Sequence, residues 1–213
     1  MTVLTIGLEL WAERELLYRA TEHRGTDELD ALRVTGPGVG RFLFTAPHSV
    51  RSLRDGVEKQ ADMGTGGLAE ALAELTESTA LTALGRQSGD PNWDRAVGSF
   101  KRAVLDRRGL VVVDLHGFRQ EWPEDLIIGL GPEPNGAVRE LAAELLRVAA
   151  SAGLCARTGR PFDATWPGTI TSAVQLAGGT ALQLEVAGRG RRPRTRPETT
   201  GPLLAALLRW LLA

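Results

Sequence analysis

The sequence predicts an α/β fold: one domain over residues 1–213, with a mixed, largely parallel central sheet flanked by helices on both faces. Three observations predict it. Short apolar runs alternate with stretches of helical spacing through most of the chain. One run, Leu110-Val111-Val112-Val113, is continuous and mostly β-branched, as suits a strand buried on both faces. The length of 213 residues, with 43% hydrophobic and 24% charged residues, is that of an ordinary folded domain, and no internal repeat or linker interrupts it.

The elements follow in order. Leu16 to Ala20, Ala31 to Val34 and Arg41 to Thr45 read as strands, with Gly36-Pro37-Gly38 as a hairpin turn between the last two. Leu68, Leu72 and Leu75 fall at i, i+4 and i+7 and predict a helix over 66–76, capped by Thr65. Thr79 to Leu84 reads as a strand, and Trp93 to Leu105 has helical spacing through Trp93, Val97, Phe100 and Val104. Strands follow over Leu110–Val113 and Asp125–Leu130. Val138, Leu141, Leu145 and Val148 form one stripe of a helix over Gly136–Ala152, started by Asn135 and stopped at Gly153. Leu154–Arg157, Thr169–Val174 and Thr180–Val186 read as closing strands. Residues 188–200 read as a Gly/Arg/Pro loop, and Pro202–Leu212 as a final amphipathic helix.

Composition narrows the function. A net charge of −1 supplies no global field toward nucleic acid or an anionic membrane. The arginines at 189, 191, 192, 194 and 196 are interrupted by Pro193 and lack aromatic partners for stacking, which favours a solvated loop over a nucleic-acid platform. The single cysteine, Cys155, excludes an intrachain disulfide and a thiolate metal cage, and is expected to be a small buried hydrophobe. The N-terminus has no basic stretch before its apolar residues, and the apolar run Leu203–Ala213 is shorter than the ~20 residues a bilayer requires. A cytoplasmic setting is the resulting expectation. No Gly-x-Ser-x-Gly or phosphate-binding loop occurs, which argues against a nucleotide-binding domain.

Chemistry concentrates in few residues. Of three histidines, His48 and His116 stand just past apolar strand runs, where ligands bind in open α/β sheets. Asp62 lies between them in Asp62-Met63-Gly64-Thr65-Gly66-Gly67-Leu68, where the glycines allow close backbone approach; an acid there also complements a helix dipole. Two imidazoles and one carboxylate, with a fourth position open, is a set that catalytic zinc prefers. In Leu182-Gln183-Leu184-Glu185 the polar residues alternate with apolar ones, so Gln183 and Glu185 share a strand face, and Glu185 is the candidate general base.

These segments together resemble the N-formylglutamate amidohydrolase family, relatives of the zinc carboxypeptidases. Ala46-Pro47-His48-Ser49 is similar to the family's Pro-His-Ser-Gly, with Val50 where Gly is usual. The segment from Asp62 to Leu68 is similar to its acid-to-Leu segment and to that of poly-γ-glutamate hydrolases. Arg86-Gln87-Ser88-Gly89-Asp90-Pro91-Asn92 keeps a family spacing, and Val113-Asp114-Leu115-His116-Gly117 resembles Asp-Leu-His-Ser. Arg160-Pro161-Phe162 and Leu182-Gln183-Leu184-Glu185 resemble its C-terminal tags.

The resemblance implies zinc as cofactor, with His48, Asp62 and His116 as ligands and Asp114 supporting its neighbouring histidine. It implies Glu185 as acid/base acting on a zinc-bound water, Arg86 as the group that polarises the scissile carbonyl, and Asn92 on the substrate side. Trp93 stands where the family carries an arginine that binds a substrate carboxylate. Either another arginine takes that role, with Arg157, Arg160 and Arg189 at hand, or the substrate is not formylglutamate; the second is favoured. Arg160, Arg189 and Gln183 complete the candidate substrate-binding set. The expected activity is zinc-dependent hydrolysis of the amide of a small N-acyl or N-formyl amino acid or peptide-like substrate. The alternative is a binding relative of the same fold without turnover. The expected partner is a small molecule, acidic or N-acylated, with neither nucleic acid nor membrane.

Overall fold

A computed structural model describes residues 2–119 and 121–213. Seven strands form the central sheet: β1 (Leu32–Thr35), β2 (Phe42–Ala46), β5 (Thr79–Ala83), β6 (Val111–Phe118), β7 (Leu126–Gly129), β8 (Ala156–Thr158) and β9 (Thr180–Ala187). Their spatial order is β1-β5-β2-β6-β9-β7-β8. The four central strands β5, β2, β6 and β9 are parallel; β1 and β7 run antiparallel to their inner neighbours. A separate hairpin, β3 (Ser52–Arg54) with β4 (Val57–Lys59), follows β2. The sheet is thus mixed and largely parallel, as the sequence predicts.

β2 is the hinge of this order. The chain leaves it toward β5 on one side and later returns to β6 on the other. Strand order reverses there, which opens a crevice at the carboxyl ends of the strands.

The helices are α1 (Val3–Arg19), α2 (Thr65–Leu75), α3 (Ser99–Leu105), α4 (Gly136–Ser151), α5 (Ile170–Leu176) and α6 (Pro197–Leu211). α4 forms as its stripe predicts: Val138, Leu145 and Val148 are buried, Asn135 accepts a hydrogen bond from the Val138 amide, and Gly153 takes φ 73°. None of the described helices is long and apolar enough to cross a membrane.

Several expectations are corrected. Leu16–Ala20 is not a strand, since Leu16–Arg19 end α1; the buried residues of that helix, Gly7, Trp11, Glu15 and Tyr18, mix a glycine and a carboxylate, so no apolar stripe marks them. Thr169–Val174 is not a strand either. Its β-branched residues favour one locally, but Thr169 caps a helix by accepting from the Ser172 amide, and Ile170 and Val174 are buried against the sheet. Only Ser99–Leu105 of the stretch from Trp93 is helical. Gly36-Pro37-Gly38 does not close a hairpin, because β5 lies between β1 and β2. The cap of α2 is Gly64 rather than Thr65. α6 begins at Pro197, inside the expected loop. Cys155 is exposed, just before β8, rather than buried.

The two faces of the sheet are covered unequally. One core joins Phe44, Val113, Leu115, Leu182, Leu184 and Val186 to α1, α2, α4 and α6 through Trp11, Leu68, Leu145 and Leu204. The other joins Leu43, Val112 and Ala181 to α3 and α5 through Phe100, Val104, Ile170 and Val174. α3 and α5 have only seven residues each. Since a helix rises ~1.5 Å per residue, they cover roughly 10 Å of strand. The carboxyl-terminal halves of β6 and β9 on that side carry polar residues instead.

Candidate metal centre

Alternation along β6 puts Val112, Asp114 and His116 on one face, and alternation along β9 puts Ala181, Gln183 and Glu185 on the same one. Register aligns them across the ladder, Asp114 with Gln183 and His116 with Glu185. His48 sits in the turn after β2, one strand over. Asp62 comes from the loop between β4 and α2, tied to that turn by the hydrogen bond from the Asp62 amide to the His48 carbonyl, 2.8 Å.

His48, Asp62 and His116 converge. The two Nδ1 atoms lie 3.1 Å apart, and Asp62 Oδ2 is 3.3 Å from His48 Nδ1 and 3.2 Å from His116 Nδ1. Their side chains are buried or nearly so. The opposite ring nitrogens are held by carboxylates: His48 Nε2 is 2.6 Å from Asp90 Oδ1, and His116 Nε2 is 3.0 Å from Asp114 Oδ2. A histidine that donates from Nε2 has a lone pair on Nδ1, so three lone-pair donors face one point. Tetrahedral ligation with bonds of ~2.0–2.1 Å separates donors by roughly 3.3 Å, and these separations match it. The donor set therefore fits a divalent cation.

Electrostatics agree. Burial disfavours charge on His116, but Asp114 and Asp62 outweigh it and raise its pKa to about 10, so that a proton and a divalent ion compete for Nδ1. Burial likewise works against the Asp62 carboxylate, yet His116, His48 and Lys59 keep it well below the usual range. Asp90 is lowered by His48 and Arg54 against its own burial. The pocket is built to hold positive charge between fixed carboxylates. Thr45 Oγ1 donates to Asp114 Oδ1 and Arg54 Nε to Asp90 Oδ2, so both supporting carboxylates are themselves oriented.

Glu185 differs from these acids. Burial, reinforced by the nearby Asp62 charge, raises it to about 7, with His116, Lys59 and Arg191 pulling the other way. Its Oε1 accepts from the Gln183 amide nitrogen at 3.1 Å. Gln183 Oε1 in turn faces Asn92 Nδ2 at 3.4 Å. Asn92 is fixed by accepting from the Ile170 amide and by its own amide, which donates to Asp90 Oδ1. One chain of contacts thus joins the first turn of α5 to Glu185 and to the carboxylate behind His48.

The remaining candidates lie elsewhere. Arg86 is exposed, with its guanidinium 3.8 Å from Asp27; Arg160 is exposed near Asp163. Arg189 pairs with Asp125 at 2.7 Å, and Arg157 with Glu124 at the same distance. The structure does not bring these four side chains into the cluster. Three other cations border it. Lys59 Nζ is 3.0 Å from Asp62 Oδ1. Arg54 holds Asp90 and lies 4.7 Å from the Trp93 ring, which stacks on Trp166 at 4.9 Å. Arg191, expected in a solvated loop, is half-buried instead. It donates to the carbonyls of Val186, Phe118 and Met63, and Gly117 leaves it the space a Cβ would fill. Asp90 and Arg54 escaped the sequence reading of the site. The signal for Asp90 was present in the spacing from Arg86 to Asn92; nothing local marks Arg54 or Arg191.

No family model and no curated protein matches the chain. Solved structures do. A bacteriophage poly-γ-glutamate hydrolase superposes with TM-score 0.56 at 19% identity, covering 89% of this chain and 91% of its own. An Agrobacterium tumefaciens gene product gives 0.61 at 16% identity, covering 92% and 96%. An N-formylglutamate amidohydrolase from Ralstonia eutropha gives 0.56 at 14% identity, covering 86% and 96%. The chain shares the fold of these proteins over nearly its whole length.

Proposed function

We propose that this chain is a zinc-dependent amidohydrolase acting on a small N-acyl or N-formyl amino acid or a peptide-like amide. The observation that carries the reading is the convergence of two Nδ1 atoms and one Asp62 oxygen within 3.3 Å, with the raised Glu185 on the strand beside them. His48, Asp62 and His116 would hold the ion. Two nitrogens and one oxygen leave a position open, as in catalytic zinc sites. A bound divalent ion supplies Lewis acidity toward a carbonyl and toward water.

The chain's own residues do the rest. Asp90 and Asp114 fix the tautomer of both histidines by accepting from Nε2. Glu185 is raised by burial to about 7, well above an ordinary carboxylate. It takes a proton from the attacking water and returns it to the leaving nitrogen, the task for which a carboxylate tuned near the working pH is suited. Gln183 and Asn92 orient that carboxylate. Arg86 and Arg160 have no part in this assignment, since their guanidinium groups lie at the surface.

Two of the structural neighbours carry names of enzymes that act on N-formylglutamate and on poly-γ-glutamate. Trp93, in contact with Trp166 and Arg54, stands where the resembled family carries an arginine. This supports an amide substrate whose acyl or amine part is not restricted to glutamate.

The test is a hydrolysis assay over a panel of N-formyl and N-acetyl amino acids and short γ-linked peptides. Wild type should turn over at least one of them. Glu185→Gln should lose roughly 10²–10⁴ of that rate while keeping its metal. Metal uptake without turnover across the panel would contradict the catalytic reading and leave a metal-binding relative of the fold.

A further inference from the structure

The residues before β1 match no motif, yet they hold the segments that carry the candidate ligands, through backbone groups of four residues. Asp62 lies in an irregular stretch between β4 and α2, and Gly64 two residues later takes φ 94°. Both polar groups of Gly64 are claimed by α1. Its N–H donates to Glu15 Oε1 at 2.7 Å, and its carbonyl accepts from Trp11 Nε1 at 2.8 Å. The second oxygen of Glu15 accepts from the Gly67 amide at 3.0 Å. α2 has no capping side chain of its own, so the Glu15 carboxylate, from another helix, satisfies the amides of its N-cap Gly64 and its first-turn Gly67 and complements its dipole.

The glycines explain how α1 comes so near. A Cβ on Gly67 would lie 2.8 Å from Glu15 N and from Trp11 O, and one on Gly66 would lie 2.6 Å from the Tyr18 ring. Close approach at this glycine-rich segment therefore serves a helix of the protein itself.

The turn after α1 holds the other ligand loop. His23 Nδ1 lies 3.1 Å from the Ser49 carbonyl, and the Arg51 amide donates to the His23 carbonyl at 2.7 Å. His23 Nε2 is also 3.6 Å from Glu15 Oε1. Residues 11, 15 and 23 thus grip backbone groups at 49, 51, 64 and 67, which flank His48 and Asp62 without touching either side chain.

We propose that α1 and its following turn are a clamp, with Trp11 and Glu15 as positioning residues that set the Asp62 loop against His48 and so set the affinity of the site for its ion. The inference rests on the metal-site reading above. Glu15 and Trp11 act through Gly64, whose backbone fixes where Asp62 stands.

The test compares three variants of the full chain. Trp11→Phe removes the bond to Gly64 and keeps the ring. Glu15→Gln leaves one acceptor for two amides. Tyr18→Phe is the control: its hydroxyl joins α1 to Glu70 and Thr82 by buried hydrogen bonds of 2.5 and 2.8 Å, and none of its bonds reaches a ligand loop. Competitive titration with Zn²⁺ should show Trp11→Phe and Glu15→Gln weakened by at least tenfold, and Tyr18→Phe unchanged even where its thermal midpoint falls as far. Amide exchange of the metal-free proteins should show faster exchange at Gly64 and Gly67 in the first two only. Equal Zn²⁺ affinity in all three would overturn the clamp. So would equal losses in all three, which would reduce α1 to general support. If wild type takes up no Zn²⁺, the reading of the site fails instead, and the clamp is then overturned when Gly64 and Gly67 exchange alike in all variants.

Discussion

β6 and β9 present two faces built from the same strands in the same register, and their chemistry is opposite. Toward the four long helices they show Val113, Leu115, Leu182, Leu184 and Val186, none measurably exposed. Toward the two short helices they show Asp114, His116, Gln183 and Glu185, which are almost as deeply buried. The first face is satisfied by contact with apolar neighbours. The second is satisfied only by partners of matching charge or hydrogen-bonding capacity, since an unpaired buried charge is costly. All four have such a partner within 3.1 Å. Glu185 has an amide but no cation in direct contact, and it is the one raised by burial. The comparison teaches that polar side chains can be buried almost as deeply as a core when each meets a partner, and that the acid held by an amide alone is the one that burial raises.

The sharpest way to break this contrast is on the apolar face. Leu184→Ala should cost about 2–5 kcal/mol of unfolding free energy, read by denaturant titration, with the metal-to-protein ratio unchanged. Loss of metal at intact fold would show that the faces are not separable.

On the polar face the same strand should behave in the reverse sense. The folded value of Glu185, about 7, lies above the ordinary 4.5. Between these values the folded state holds the proton more tightly, so stability falls as pH rises through that window and stays lower above it. Glu185→Gln should therefore stabilise the metal-free protein at pH 8 by up to about 3 kcal/mol, with the gain vanishing below pH 4.5. For wild type, kcat/KM should have an acidic limb, falling about tenfold per pH unit once Glu185 is protonated. A limb that Glu185→Gln leaves unchanged would remove Glu185 from the role of base.

The smallest effect is expected behind the ligands. Asp114→Asn should weaken metal affinity by roughly 10–100-fold, seen by competitive chelation, with the fold retained.

Much of this was legible in the sequence. Alternation along β9 placed Gln183 with Glu185, the resemblance paired Asp114 with His116, and the glycines around residue 66 signalled a close approach. What stayed hidden depends on contacts far along the chain. α1 buries a tryptophan, a tyrosine and a glutamate at i, i+7 and i+4, a spacing that helical periodicity supports but that an apolar pattern misses. α5 consists of residues that favour strands, and a threonine cap with tertiary burial decides otherwise. Arg86 fits a spacing yet points to Asp27, while Arg54 fits no spacing and holds Asp90. A spacing fixes backbone distance, whereas the direction of a long side chain is set by the ion pairs available where it emerges.

The central claim is that two histidines and one aspartate hold a single divalent ion. Metal analysis of the purified protein beside His116→Ala tests it most directly. One ion per chain in wild type, absent from the variant, is the predicted result; a stoichiometric ion that survives the substitution would contradict the account.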